Sequence, residues 1–141
     1  MYVRAPKSQR ILVGPIRRAA LKTLARAAPT VCGDLTVVLA GDRTVHRLNL
    51  SYRNQDRPTD VLAFELSTGQ EADEPFGDVI ISIETACRQA EQYKADLESE
   101  VLRLLVHGTL HLCGYDHHER RAAARMHAMT RRILKDLVSD A

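Results

Sequence analysis

The sequence predicts an α+β fold, a small mixed sheet of about four strands packed with about five helices. Two observations carry that reading. Short, β-branched apolar runs are confined to the first 83 residues, whereas helical periodicity dominates from there to the end. The chain of 141 residues, 45% hydrophobic and 27% charged, has the size and composition of one globular domain, so residues 1–141 read as a single domain.

Tyr2–Arg4 is short and apolar enough for an edge strand. Residues 11–28 repeat apolar side chains at helical spacing (Ile16, Ala20, Leu24, Ala27), with Arg17, Arg18, Lys22 and Arg26 on the other side. Pro15 suits the first turn of that helix and Pro29 its stop. The run LTVVLA at 35–40 reads as a strand ended by Gly41. Asp42 is placed to cap a helix over 43–52, with Val45, Leu48 and Leu50 as its apolar members. After the polar loop 53–60, a second apolar run at 61–66 is a strand. Residues 67–77 read as an acidic loop, and 78–83 as a strand buried on both faces. Helices are predicted over 84–93, 97–113 and 118–138, with Gly114 ending the second of them.

Composition excludes several classes. No apolar run approaches the roughly 20 residues that cross a bilayer, and the first ten residues lack the apolar stretch of a signal peptide. Cys32, Cys87 and Cys113 form no CxxC pair. They read as small buried hydrophobes in a reducing cytoplasm rather than a disulfide scaffold. Net charge is +2, unevenly spread. Residues 1–57 carry 11 Lys/Arg against 3 Asp/Glu, while residues 58–100 carry 2 against 11. A basic face of this kind suits an anionic partner, and solvated helix faces would account for it equally well.

Three of the six histidines fall in HGTLHLCGYDH. His107 and His111 are four apart on a predicted helix, so they share a face with Cβ atoms about 5–6 Å apart. Gly114 lets the chain leave the helix in a left-handed conformation, and the turn carries His117 back over the same face. Three imidazoles leave a fourth position for water, the open arrangement of a catalytic zinc site. One divalent ion, Zn²⁺, is the expected cofactor, held on a helix and the turn that follows it. His118 is the alternative third ligand, but the spacing favours His117. His46 and His127 lack such geometry. The spacing HxxxHxxGxxH matches the metzincin protease pattern at each ligand and at the glycine. However, the general-base Glu of those proteases is replaced here by Gly108, which leaves room above the metal.

This motif resembles the signature of the YbeY family, bacterial endoribonucleases of ribosomal RNA maturation. Upstream, LNLSYRNQDRPTDVLAFEL at 48–66 is similar to the family's Asn-Leu, aromatic-Arg and Pro-Thr-Asp-Val-Leu stretch. GDVIIS at 77–82 resembles the glycine-aspartate strand that follows it. The likeness runs through residues 35–120. It departs at Ala63, where Ser is usual, and at Glu65, where Pro is common.

The resemblance implies a catalytic role for Arg53, whose planar guanidinium suits phosphate oxygens and developing charge. It also implies cleavage of single-stranded RNA, maturation of the small-subunit ribosomal RNA 3′ end, ribosome quality control and ribosomal proteins as partners. Arg53 and Arg57, together with the basic helix at 17–26, are the expected substrate-binding residues through phosphate contacts. Few aromatics stand near the site (Tyr52, Phe64 and Tyr115), which limits readout by stacking. Asp116 either orients an imidazole from behind or caps the last helix. Two other readings stand beside this one. One is a metallopeptidase, which lacks its Glu; the other is a non-catalytic assembly factor with a structural metal.

Overall fold

The strict alternation of β2 (Asp34–Ala40) turns Leu35, Val37 and Leu39 into the core and leaves the intervening residues half-buried. In the computed structural model, which describes residues 1–139, β2 lies between β1 (Tyr2–Arg4) and β4 (Pro75–Ser82), parallel to both. β3 (Val61–Glu65) closes the other side of β4 in antiparallel register, giving the order β1-β2-β4-β3. The mixed four-stranded sheet agrees with the expectation from sequence. β4 is apolar on both faces because helices cover both. Val79 and Ile81 enter the main core, while Ile80 joins Val45 and Leu62 in a smaller cluster beneath α2 (Asp42–Arg53).

Among the described residues, five α-helices accompany the sheet. α4 (Leu97–Leu112) is the central one, buried along Val101, Leu104, Leu105 and Leu110. It packs on α1 (Val13–Ala27), α3 (Ile83–Gln92), α5 (Arg120–Ser139) and the β3–β4 side of the sheet. Its start is set by Asp96, whose carboxylate accepts the Ser99 amide at 2.7 Å. Its end is set by Gly114 at φ +96, whose amide donates to the His111 carbonyl at 3.0 Å.

Several local expectations need correction. α1 begins at Val13 and is preceded by a 3-10 segment over Lys7–Leu12. Asp42 is not the cap of α2. Gly41 holds that position in extended conformation, and Asp42 is the first helical residue. Its carboxylate instead accepts Ser82 Oγ and Thr85 Oγ1, both at 2.6 Å, and an Arg88 guanidinium nitrogen at 2.7 Å. Burial alone would raise its pKa; these donors and the Arg88 charge overcome that and lower it to about 2. Leu50, expected to be apolar lining, is 45% exposed, and Asn49 is buried in its stead. β4 starts at Pro75 rather than residue 78, because Phe76 is buried and Gly77 lies so close to Leu112 and the Phe64 carbonyl that no Cβ fits. A Pro-Phe-Gly beginning carries no strand signature. α5 starts at Arg120, two residues later than expected. The cysteines are not buried hydrophobes: Cys32 and Cys87 are exposed and Cys113 is half-buried, all three as free thiols. Among the described residues, no helix is long and apolar enough to cross a membrane.

Candidate metal centre and RNA cleft

Helical spacing and the Gly114 turn together assemble the three histidines. His107 and His111 project from the last two turns of α4, with ring centroids 4.9 Å apart. His117 returns over them, 5.7 Å from His107 and 5.1 Å from His111. One ligand nitrogen from each can be chosen so that all lie within 4.8 Å of one another. The His118 ring stacks beside His117 at 5.0 Å but is not part of that cluster. Among the described residues no fourth His, Cys, Asp or Glu joins it, so the set is open on one side.

The electrostatics favour neutral imidazoles. Burial, reinforced by the neighbouring His111 and His117, lowers the His107 pKa to about 4. Burial and the nearby His117 and Arg53 lower that of His111 as well. Both rings therefore offer lone pairs at neutral pH, as metal ligands must. Borderline-soft nitrogen donors, three in number and open on one side, fit a divalent ion of the zinc type.

The cluster forms one wall of a cavity of about 570 Å³ between α4, the loop 54–60 and β3. Arg53 and Arg57 both line it. Arg53, the last residue of α2, donates to the Ala63 carbonyl at 2.5 Å and lies 5.4 Å over the Phe64 ring. Its guanidinium is thereby held against β3, facing the histidines. Arg57 is fixed through its backbone, where its carbonyl accepts Asn49 Nδ2 at 2.8 Å. Asp116 lies outside this cavity. Its carboxylate accepts the His118 amide at 3.1 Å and so shapes the turn that carries His117. Its charge also favours the protonated form of His111. Tyr115 packs half-buried against the main core.

Three further residues belong to the cavity and were assigned no site role from sequence. Asn49 is a buried amide on a helix face that should be apolar, a signal only in retrospect. Asp60 faces the same space as His107 and opposes its loss of charge; its carboxylate accepts the Val61 amide at 2.8 Å and Gln89 Nε2 at 3.3 Å. Glu65 reaches the rim from the end of β3. Nearby, Glu100 is 3% exposed and survives burial because Arg103 grips both its oxygens, at 3.0 and 2.6 Å. His46, remote from the cluster, pairs with Asp56 at 2.7 Å.

Gly108 has a different reason from the one the motif suggested. A Cβ there would lie 2.9 Å from Val79 Cγ1 and 3.1 Å from Val61 Cγ2. The glycine brings the histidine-bearing turn of α4 down onto the sheet, rather than serving only to clear space above a metal.

Comparison with known proteins agrees with this geometry. A family model described as Endoribonuclease YbeY matches residues 8–138. A protein of Heliobacterium modesticaldum named Endoribonuclease YbeY is 46% identical over 114 residues, covering 73% of this chain and 69% of that one. One of Desulfitobacterium hafniense, with the same name, is 36% identical over 142 residues, covering 94% and 90%. The solution structure of TM1509 from Thermotoga maritima shares the fold, with a TM-score of 0.69 at 24% identity over 99% of this chain and 91% of that one.

Proposed function

This chain belongs to the endoribonuclease YbeY family, and from that membership we propose that it is a metal-dependent endoribonuclease that cuts single-stranded RNA at the three-histidine centre. The observation that carries the reading is the convergence of His107, His111 and His117 in one cavity with Arg53 and Arg57. Residues 1–141 are taken as one catalytic domain acting in the cytoplasm. The substrate is the precursor of the small-subunit ribosomal RNA 3′ end, the wider role is ribosome maturation and quality control, and ribosomal proteins are the partners expected beside it.

In this reading the three imidazoles hold a single Zn²⁺. Such an ion supplies Lewis-acid polarisation of a phosphoryl oxygen and a lowered pKa for water at the site. The protein's own groups do the rest. Arg53 offers a planar fork of donors, already aimed into the cavity, to the phosphate oxygens on which charge builds. Arg57 holds a flanking phosphate, whereas the basic helix α1 packs on β1, at the sheet edge opposite β3, and its arginines do not line the cavity. Asp116 sets the turn behind His117. The packing of Gly108 on Val79 argues against a peptidase, since a glutamate at that position has no room.

The test is cleavage of a single-stranded RNA with and without chelator, followed by metal titration. Chelation should abolish cleavage, Zn²⁺ should restore it, and His111→Ala should stay inactive throughout. Cleavage indifferent to chelator would overturn the proposal.

A further inference from the structure

A second cleft, lined by Tyr52, Arg53, Ala63, Phe64 and Glu65, opens beside the histidine cavity and shares Arg53, Ala63 and Glu65 with it. Tyr52 is 72% exposed. Its ring meets Phe64 edge-on with centroids 5.5 Å apart and planes at 61°, a contact that favours this orientation. Arg53 occupies a face of Phe64, which leaves Tyr52 as the ring offered to solvent. A large ring held in water at the mouth of a catalytic cavity gives up burial that this aromatic-poor chain could have used in its core. Glu65 stands at the exposed end of the edge strand β3, and among the described residues its carboxylate has no hydrogen-bond or ionic partner.

We propose that this cleft is a one-base subsite in which Tyr52 stacks on an unpaired base and Glu65 reads that base's Watson–Crick edge, favouring guanine. The proposal rests on the endoribonuclease reading, since the phosphate next to that base would lie at Arg53. Stacking tolerates any base, because every base has a π-face. The discrimination comes from Glu65, which only accepts hydrogen bonds when ionised. Guanine presents two adjacent donors on that edge, its ring N–H and its 2-amino group, to match two carboxylate oxygens. Adenine and cytosine present one amino group beside an acceptor, and uracil one N–H between two carbonyl oxygens that a carboxylate repels. Arg53 and Arg57 offset the cost of a carboxylate near phosphates.

The test is equilibrium binding of 2′-O-methyl heptauridylates with the metal-loaded protein, the central base being uracil, guanine or hypoxanthine. A companion oligonucleotide carries 2-aminopurine as a stacking probe. Guanine should bind about tenfold more tightly than uracil, and hypoxanthine, lacking the 2-amino group, in between. Glu65→Ala should bring guanine and uracil to equal affinity. Tyr52→Ala should weaken all of them about tenfold and abolish 2-aminopurine quenching, while Tyr52→Phe should retain both. Equal affinity for guanine and uracil in the unmodified protein, an undiminished preference in Glu65→Ala, or unchanged quenching in Tyr52→Ala would each overturn the subsite. Cleavage of the matching RNA, followed in parallel, separates the two proposals. Oligonucleotides bound with this pattern but left uncut would defeat the endoribonuclease reading and not the subsite.

Discussion

Gly108 lies against Val79 so closely that a methyl group on its Cα would come within 2.9 Å of Val79 Cγ1. This contact links the geometry of the histidine cluster to the core. The turn of α4 between His107 and His111 rests directly on β3 and β4, so the spacing of the two rings is set by how deeply the helix sits on the sheet.

Gly108→Ala should therefore lift that turn, even though alanine is the better helix former. The expected cost is about 1–3 kcal/mol of stability from overpacking, together with weaker metal binding. Urea unfolding and metal titration on the same variant check both. A variant as stable as the parent, with unchanged affinity, would show that the sheet gives way freely.

Arg53→Ala should retain the metal and the fold but lose cleavage by about 10²–10³-fold, the usual consequence of removing one donor to developing charge. Arg53→Lys should recover only part of the rate, since an ammonium keeps the charge but not the fork. Steady-state rates on one RNA, set beside metal content, decide the matter. Unchanged rates would remove Arg53 from the chemistry.

Asp42 joins the starts of α2 and α3 through Ser82, Thr85 and Arg88. Its pKa is depressed on folding, so its stabilisation is complete above the unfolded carboxylate range near 4 and is lost as pH falls toward about 2. Asp42→Asn should be less stable at pH 7 by about 1–3 kcal/mol. It should also show a flatter stability profile between those two pH values. Parallel acid-unfolding curves for the two proteins would contradict this account.

RNA affinity should fall with added salt, and Arg57→Ala should reduce the log–log slope by about 0.7, the value for one phosphate contact on a single strand. Arg57 lines the cavity while its backbone is held by Asn49, so the substitution leaves the loop in place. An unaltered slope would place its side chain off the path of the backbone.

Much of the fold and the histidine cluster was legible because both rest on short-range rules. The four-residue spacing of His107 and His111 and the left-handed Gly114 are local facts, and they imply the return of His117 without knowledge of the sheet. The alternation in β2 and the periodicity of α4 are equally local. What escaped depends on distant partners. Asp42 looked like a cap because its attachment is to Ser82, Thr85 and Arg88, some 40 residues away. Asn49 and Asp60 looked like ordinary polar residues until the loop 54–60 folded over α4. The packing role of Gly108 was missed because its constraint, Val79, lies on another element. The start of β4 was missed because tertiary packing overrides the turn-like character of Pro75 and Gly77.

The most direct test of the account is elemental analysis of the purified protein and of His107→Ala, paired with X-ray absorption at the zinc edge. The account predicts about one ion per chain in the parent, with three nitrogen neighbours at about 2.0–2.1 Å and an exchangeable oxygen as the fourth, and none retained by the variant. Equal metal content in the two proteins, or a coordination shell completed by sulfur, would contradict it.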